Sequence, residues 1–260
     1  MTFEVTNVGG IQTATMGRVS LANYIGNTCE NWTINPNENV PFIIFSNNGH
    51  AISIYNTDPE AKKQMDKADL IHADGQSVVS LSRLFSDKPI EERTATTDMI
   101  HDLPQYYDKR LRHFLLGGKK ETVSKSAIIM QEKYNNFEVV GEHDGYFSLD
   151  DEDRICKLIN ESKPDVLWVG LGKPKEQLFC IRNKNKLKVP VIISCGGCYN
   201  FITGEYPRAP SWMQKIGFEW LFRMLHSPKK LFLRYLLTNP HAIYCVLKHG
   251  LFKKKAVHNV

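Results

Sequence analysis

The 260-residue chain predicts an α/β fold, a mostly parallel sheet with helices on both faces, followed by a basic and purely helical C-terminal segment. Three observations carry this. Short runs rich in Ile, Val, Leu and Phe alternate with stretches of helical periodicity, the βαβα order of a parallel sheet. The apolar runs are nearly unbroken, as in strands covered on both sides. Past Arg208 the strand-like runs stop and bases accumulate.

The elements follow in order. PFIIFS (41–46) reads as a buried strand, with a helical stretch at 49–67. ADLIHADG (68–75) is a strand ending in Asp-Gly, and a helix with apolar Val78, Val79, Leu81 and Leu84 comes next. RHFLLGG (112–118) is a strand before a helix at 120–134, and FEVVGE (137–142) is the next strand. SLDDED opens a helix through about residue 160. Strand DVLWVGLG (165–172), helix 174–187 and strand VPVIISCGG (189–197) complete the body. In the tail, Pro210, Pro228 and Pro240 divide three short amphipathic helical segments. The expected boundaries are an α/β body at 1–207 and a helical appendage at 208–260.

Composition excludes several classes. With 42% apolar, 23% charged and 10% aromatic residues, the chain is neither disordered, nor collagen-like, nor a disulfide scaffold. No uninterrupted apolar run of about 20 residues exists, which excludes an integral membrane bundle. The net charge of +5 is unevenly spread. Residues 208–260 hold ten Lys and Arg against one acid, Glu219, interleaved with eight aromatics. Such a tail suits an anionic partner; Trp and aliphatics beside bases suit an interfacial helix on anionic lipid. The other reading is a solvated basic surface. No helix-turn-helix, RRM or KH signature supports nucleic acid.

The N-terminus has no early basic cluster and no apolar h-region, so a cytoplasmic protein is expected. Six scattered cysteines read as reduced, buried thiols. Cys195-Gly-Gly-Cys198 follows a buried strand and reads as a Gly-rich turn rather than a redox or zinc site.

Ligands of open parallel sheets bind beyond the carboxyl ends of the strands. The residues there are Ser46-Asn47-Asn48, Asp74-Gly75, Gly117-Gly118, Gly145-Tyr146, Gly170 to Lys175, and Gly196-Gly197. Asp74 is the one carboxylate directly at a strand end. It reads either as a general base toward a hydroxyl or as an ordinary Asp-Gly turn. Gly117-Gly118 and Gly170-Leu-Gly172 precede helices; they read as phosphate-binding helix starts or as tight connections. Lys175 stands where a dinucleotide fingerprint needs its third glycine, which counts against a nucleotide-dependent oxidoreductase. Asp150 to Asp153 contains D-x-D, a metal-binding pattern in some sugar-nucleotide enzymes, but it opens a helix where acids favour the dipole. No His/Cys cluster has metal-ligand spacing.

Taken together, SNNGH (46–50), ADLIHADGQSVV (68–79), ERTATTD (92–98), FLLGG (114–118), VVGEHDGYF (139–147), PDVLWVGLGKPKEQ (164–177), GGCYNFITGEYPRAP (196–210) and GFEWLFRML (217–225) resemble, in order and spacing, the WecG/TagA/CpsF glycosyltransferase family. The resemblance implies a Rossmann-like body with an appendage that binds membrane and closes the active site. It implies inverting transfer of an N-acetylhexosamine-type sugar from a UDP donor to an undecaprenyl-diphosphate-linked saccharide at the inner membrane face, in bacterial surface polysaccharide synthesis. No metal or other cofactor is implied, and homo-oligomers are. By motif, Asp74 matches the catalytic base. Ser46, Asn48 and Ser77 would position donor or acceptor, together with the loop residues Gly117, Gly118, Gly172 and Lys175. Arg93 matches the E-R-x-T arginine, and Tyr146 is expected near the uridine. Arg208, Arg223 and Arg234 are candidates for the diphosphates. Glu176 and Asn200 depart from the pattern, Glu176 by exchange with Gln177 and Asn200 by replacing an Asp, and Lys229-Lys230 partly replaces an Arg-rich stretch. A non-enzymatic basic module binding lipid or nucleic acid is the alternative reading.

Overall fold

The structure is a computed structural model that describes residues 2–34 and 40–257, without the side chains of residues 33, 34, 230 and 251–257. The tail residues Lys230, Phe252, Lys253, Lys254 and Lys255, as charges and rings, and residues 258–260 lie outside that description.

The chain opens with a hairpin that sequence reading missed, β1 (Val5–Val8) and β2 (Ile11–Ala14). Gly9 and Gly10 form its turn at φ of 65° and 93°, the left-handed pair that matches strand twist. Helix α1 (Arg18–Ile34) follows. Then come β3 (Phe42–Asn47), α2 (Gly49–Thr57), α3 (Pro59–Met65), β4 (Leu70–Ala73), α4 (Gln76–Phe85) and α5 (Thr96–Tyr106). The expected helix 49–67 is split because Asp58 caps α3 through its side chain and Pro59 starts it. Next are β5 (Leu111–Gly117), α6 (Lys120–Lys133), β6 (Phe137–His143), a 3-10 turn and α7 (Glu152–Ser162). Ser148 and Asp151 form a reciprocal capping box there, which explains the acidic run as a helix start. β7 (Val166–Gly170), α8 (Lys175–Asn183), β8 (Val191–Ser194) and α9 (Cys198–Ile202) complete the body.

Six strands form one sheet in the order β4-β3-β8-β7-β5-β6, and every neighbouring pair is parallel. Alternate side chains enter two cores. Ile43, Phe45, Phe114, Leu116, Leu167, Val169 and Ile192 face α2, α4, α7 and α8. Ile44, Leu115, Trp168 and Ile193 face α1, α5, α6 and α9. This is why the strand sequences lack polar alternation. Each such buried side chain contributes roughly 1.5–3 kcal/mol.

The tail forms α10 (Ser211–Lys215), α11 (Glu219–His226) and α12 (Pro228–Val257). Pro240 does not divide the last helix as expected but lies inside it. Its missing N–H leaves the Leu236 carbonyl without a helical partner, and both residues are on the exposed side, open to solvent. α12 lies along α2. Ala242, Cys245 and Val246 join the core that holds Ile52 and Tyr55. His241 Nδ1 is 3.0 Å from Ser53 Oγ, and His249 Nε2 is 3.0 Å from Asn56 Oδ1.

Candidate active site

All the loops singled out by sequence lie on the carboxyl edge of the sheet, but not in one place. With about 4.8 Å between strands, the ends of β4 and β6 stand roughly 24 Å apart. Asp74 belongs to the β4 side and Tyr146, which is exposed, to the β6 side.

Asp74 follows β4 directly, and its N–H donates to the Asn47 carbonyl at 2.9 Å, folding the loop across the end of β3. The carboxylate is half-buried. Its Oδ1 accepts the Thr96 N–H at 2.9 Å, and its Oδ2 accepts Asn48 Nδ2 at 3.0 Å. Asn48 is doubly used, because its Oδ1 also caps α2 by accepting the Ala51 N–H. Burial alone would raise the Asp74 carboxyl, but His72, Asn48, the Thr96 N–H and Lys173 hold it down at about 2. The group is therefore a fixed, ionised acceptor at neutral pH.

Lys173 is the cation that sequence reading missed. Its Nζ donates to the Ser46 carbonyl at 3.1 Å and to Ser46 Oγ at 3.0 Å. Ser46 is thereby occupied in holding Lys173. Burial pulls Lys173 below its ordinary value, against the opposing pull of Glu176 and Asp74. The signal was the lysine itself, hidden in a run read for its glycines.

Glu176 is buried, and its Oε2 accepts the N–H groups of Gly172 and Gly196, each at 3.0 Å. It clips the β7 and β8 loops together, and burial pushes its carboxyl up to about 7. The Gly172 N–H is thus spent inside the protein rather than offered to a phosphate. Lys175 points outward. Gly172 and Gly196 both have positive φ and nothing within 4 Å of where a Cβ would stand, so they form an open shelf. At Gly117 a Cβ would meet the Gly170 carbonyl at 2.2 Å; this glycine is a backbone crossing, and Gly118 donates to Gly170 beside it. Asn200 Nδ2 donates to Glu205 at 2.7 Å, and Thr122 Oγ1 donates to the other Glu205 oxygen at 2.9 Å.

The tail closes over the Asp74 end. Arg93 is held by Glu219 at 2.6 Å, Gln214 at 3.1 Å and Asp98 at 3.2 Å. Arg208 donates to Asp98 at 2.8 Å and to Gln214 at 3.0 Å. These two arginines fasten α10 and α11 to the body. Gly217, between those helices, approaches Gln76 and the Ser77 backbone at the start of α4. The Ser77 residue itself is exposed. Arg223 lies over the Phe201 ring, 5.3 Å from its centre. Arg234 stands over Tyr235 at 4.7 Å, and its Nε is buried without a partner. His50 Nδ1 and Thr238 Oγ1 are likewise buried and unpaired. Burial, then Arg234 and Lys173, push the His50 ring down to about 4.

The six cysteines are buried thiols, Cys195 and Cys198 included. Among the described residues no three His, Cys, Asp or Glu gather where a metal ion could sit. A cleft of about 830 Å³ opens at the opposite, amino edge of the sheet beside Arg112, Asp165 and Pro190. Arg112 there is already paired with Asp165.

The chain is similar to known proteins. An N-acetylglucosaminyldiphosphoundecaprenol N-acetyl-β-D-mannosaminyltransferase of Bacillus spizizenii (strain ATCC 23059 / NRRL B-14472 / W23) is 30% identical over 192 residues, 74% of this chain and 73% of its own. The protein of the same name from Bacillus subtilis (strain 168) is 29% identical over 191 residues, 73% of each chain. Residues 7–256 match the model of the glycosyl transferase WecG/TagA/CpsF family. That match covers nearly the whole chain, body and helical tail alike, and the chain belongs to the WecG/TagA/CpsF family of glycosyltransferases.

Proposed function

We propose that the protein transfers an N-acetylhexosamine, of the N-acetylmannosamine type, from a UDP donor to a polyprenyl-diphosphate-linked N-acetylglucosamine, with inversion, in surface polysaccharide synthesis. The carrying observation is Asp74, ionised, aimed by Asn48 and Thr96, and left partly open at the strand end. The relatives' names supply the sugar and the acceptor.

In this reading the acceptor hydroxyl gives its proton to Asp74 as its oxygen bonds to the anomeric carbon. The bond to the diphosphate breaks on the opposite face, and its electron pair leaves with UDP. Arg234, a cation with an unpaired Nε, and His50, a neutral ring with an unpaired Nδ1, stand near Lys173, where charged and N–H donors would meet the growing negative charge. The open shelf at Gly172 and Gly196 leaves room for the donor.

The outer side of α12 supports a membrane reading. Phe232, Leu233, Leu236, Leu237, Ile243 and Tyr244 are all exposed on it. Among the described residues no helix is long and apolar enough to cross a membrane. A helix lying along the inner leaflet of the cell membrane would place the site beside a lipid-borne acceptor.

The test is Asp74→Asn, assayed by UDP release from UDP-N-acetylmannosamine. Turnover is expected to fall about 10²–10⁴-fold, with stabilisation by UDP in a thermal shift retained. A variant of full activity overturns the assignment.

A further inference from the structure

His72 is a buried titratable group behind Asp74 that the reaction above does not use. It lies two residues earlier on β4, on the same side of the strand, and is 1% exposed. Its Nδ1 is 3.2 Å from Thr94 Oγ1, and its Nε2 is 3.3 Å from Thr96 Oγ1. Thr94 Oγ1 in turn reaches the Ala73 carbonyl at 3.3 Å. Thr96 Oγ1 is 3.4 Å from Asp74 Oδ1. The threonine thus stands between ring and carboxylate.

A count of protons shows what this chain can hold. Each hydroxyl has one proton to give, and a neutral imidazole has one N–H and one lone pair. With the ring proton on Nδ1, His72 donates to Thr94, Thr94 donates to Ala73, and Thr96 donates to His72 Nε2. Every donor is paired. With one more proton, the ring donates to both threonines, Thr94 still donates to Ala73, and Thr96 turns to Asp74. Every donor is paired again. A buried group that can take a charge without orphaning a single N–H is unusual, because burial otherwise penalises it.

Resting on the reading of Asp74 as the base, we propose that His72, through the Thr96 hydroxyl, receives the proton that Asp74 takes from the acceptor alcohol. The alcohol O–H bond breaks and the proton lands on Oδ1. It passes to Thr96 Oγ1 as the Thr96 proton passes to His72 Nε2, leaving an imidazolium, an intact hydroxyl and a restored carboxylate. After product leaves, the proton returns by the same path to water.

The surroundings favour that resting place. Asn48, the Thr96 N–H and Lys173 all stabilise the ionised carboxylate, so protonated Asp74 is the costly state. Burial pulls His72 down and Lys173 adds to that, while the Asp74 carboxylate raises it and so favours a charge on the ring beside it. Arg93 and Glu176 also act on Asp74, with opposite charges. His72 and Thr96 are positioning residues, since neither touches substrate.

The experiment compares Thr96→Val, Thr96→Ser, His72→Gln and Asp74→Asn with the wild type. UDP release from UDP-N-acetylmannosamine onto a short-chain lipid-diphosphate N-acetylglucosamine is followed in brief assays across about pH 3 to 8. Thr96→Val keeps the backbone N–H to Asp74 but removes the hydroxyl. It is expected to lower kcat about 10-fold or more with little change in KM, and to move the acidic limb of kcat to lower pH. Loss of activity in acid then follows Asp74 alone rather than the ring. Thr96→Ser should recover most of the rate and the wild-type limb, and His72→Gln should behave as Thr96→Val. A Thr96→Val enzyme with wild-type kcat and limb overturns the relay, as does a Thr96→Ser no better than Thr96→Val. Should His72→Gln not fold, the two Thr96 variants decide alone. Full activity in Asp74→Asn removes the base reading itself; an inactive Asp74→Asn beside a wild-type-like Thr96→Val removes only the relay.

Discussion

The two halves of the site differ in how completely their polar groups are paired. Around Asp74 the side chains at the open edge are paired: Asn48 and the Thr96 N–H hold the carboxylate, and Ser46 holds Lys173, while Asn47 Oδ1 alone is left without a partner beneath them among the described residues. Where α12 meets α2, His50 Nδ1, Arg234 Nε and Thr238 Oγ1 are buried with nothing to bond. A folded chain keeps such orphans rarely, and at a cost, so they mark a place kept for something other than protein. In the proposed reaction the half that would handle the proton is built in advance, and the other half would be completed by the diphosphates.

The sharpest way to break this contrast is Arg234→Gln. If the α12 half is kept for a diphosphate, kcat/KM should fall about 10- to 100-fold, the range for losing a charged hydrogen bond, with the unliganded melting temperature almost unchanged. A large loss of stability with intact kinetics would make Arg234 structural.

Acid should erode both halves together. His72 and His50 are buried as neutral rings, each pushed to about 4. Their native values lie below the unfolded one, so the unfolded chain binds more protons in between. Stability is complete above about pH 6.5 and falls as pH drops toward 4. By about pH 5 the loss is roughly 2 kcal/mol for the fully buried His72 and less for the half-buried His50, which solvent screens. A urea midpoint that does not move between pH 7 and about pH 5 contradicts this.

The smallest effect is a matched pair read by melting temperature. Asn48→Ala removes a cap and should cost about 1 kcal/mol. Thr238→Val removes an unpaired hydroxyl and should be neutral or slightly stabilising. If the two cost the same, the halves do not differ.

The central strands were legible because a strand covered on both faces is apolar throughout, as IIF at 43–45 and VLWV at 166–169 are. The β1–β2 hairpin was missed although Gly9-Gly10 signals its turn, because each strand has only four residues. Helix α1 was missed because Leu21, Ala22, Ile25 and Cys29, its buried side, are diluted by Asn and Thr. Pro104 inside α5 similarly disguised that helix. Asp74 could be picked out from its place after a strand. Its partners could not, since Asn48 and Thr96 lie 26 and 22 residues away and reach it only through the sheet. The motif arginines behave differently from one another for the same reason: Arg93 and Arg208 find acids across the fold, and Arg234 finds none among the described residues.

The long helix at the tail has a bearing on when the molecule first becomes an enzyme. Synthesis runs from the amino end, so every strand of the sheet leaves the ribosome before α12 does. Until then the flank of α2 near Ile52 is bare, and Arg234 has not arrived. On the proposed mechanism a nascent chain would assemble its carboxylate early and gain its hold on the leaving group only when this last helix docks, so catalysis would wait for translation to reach it.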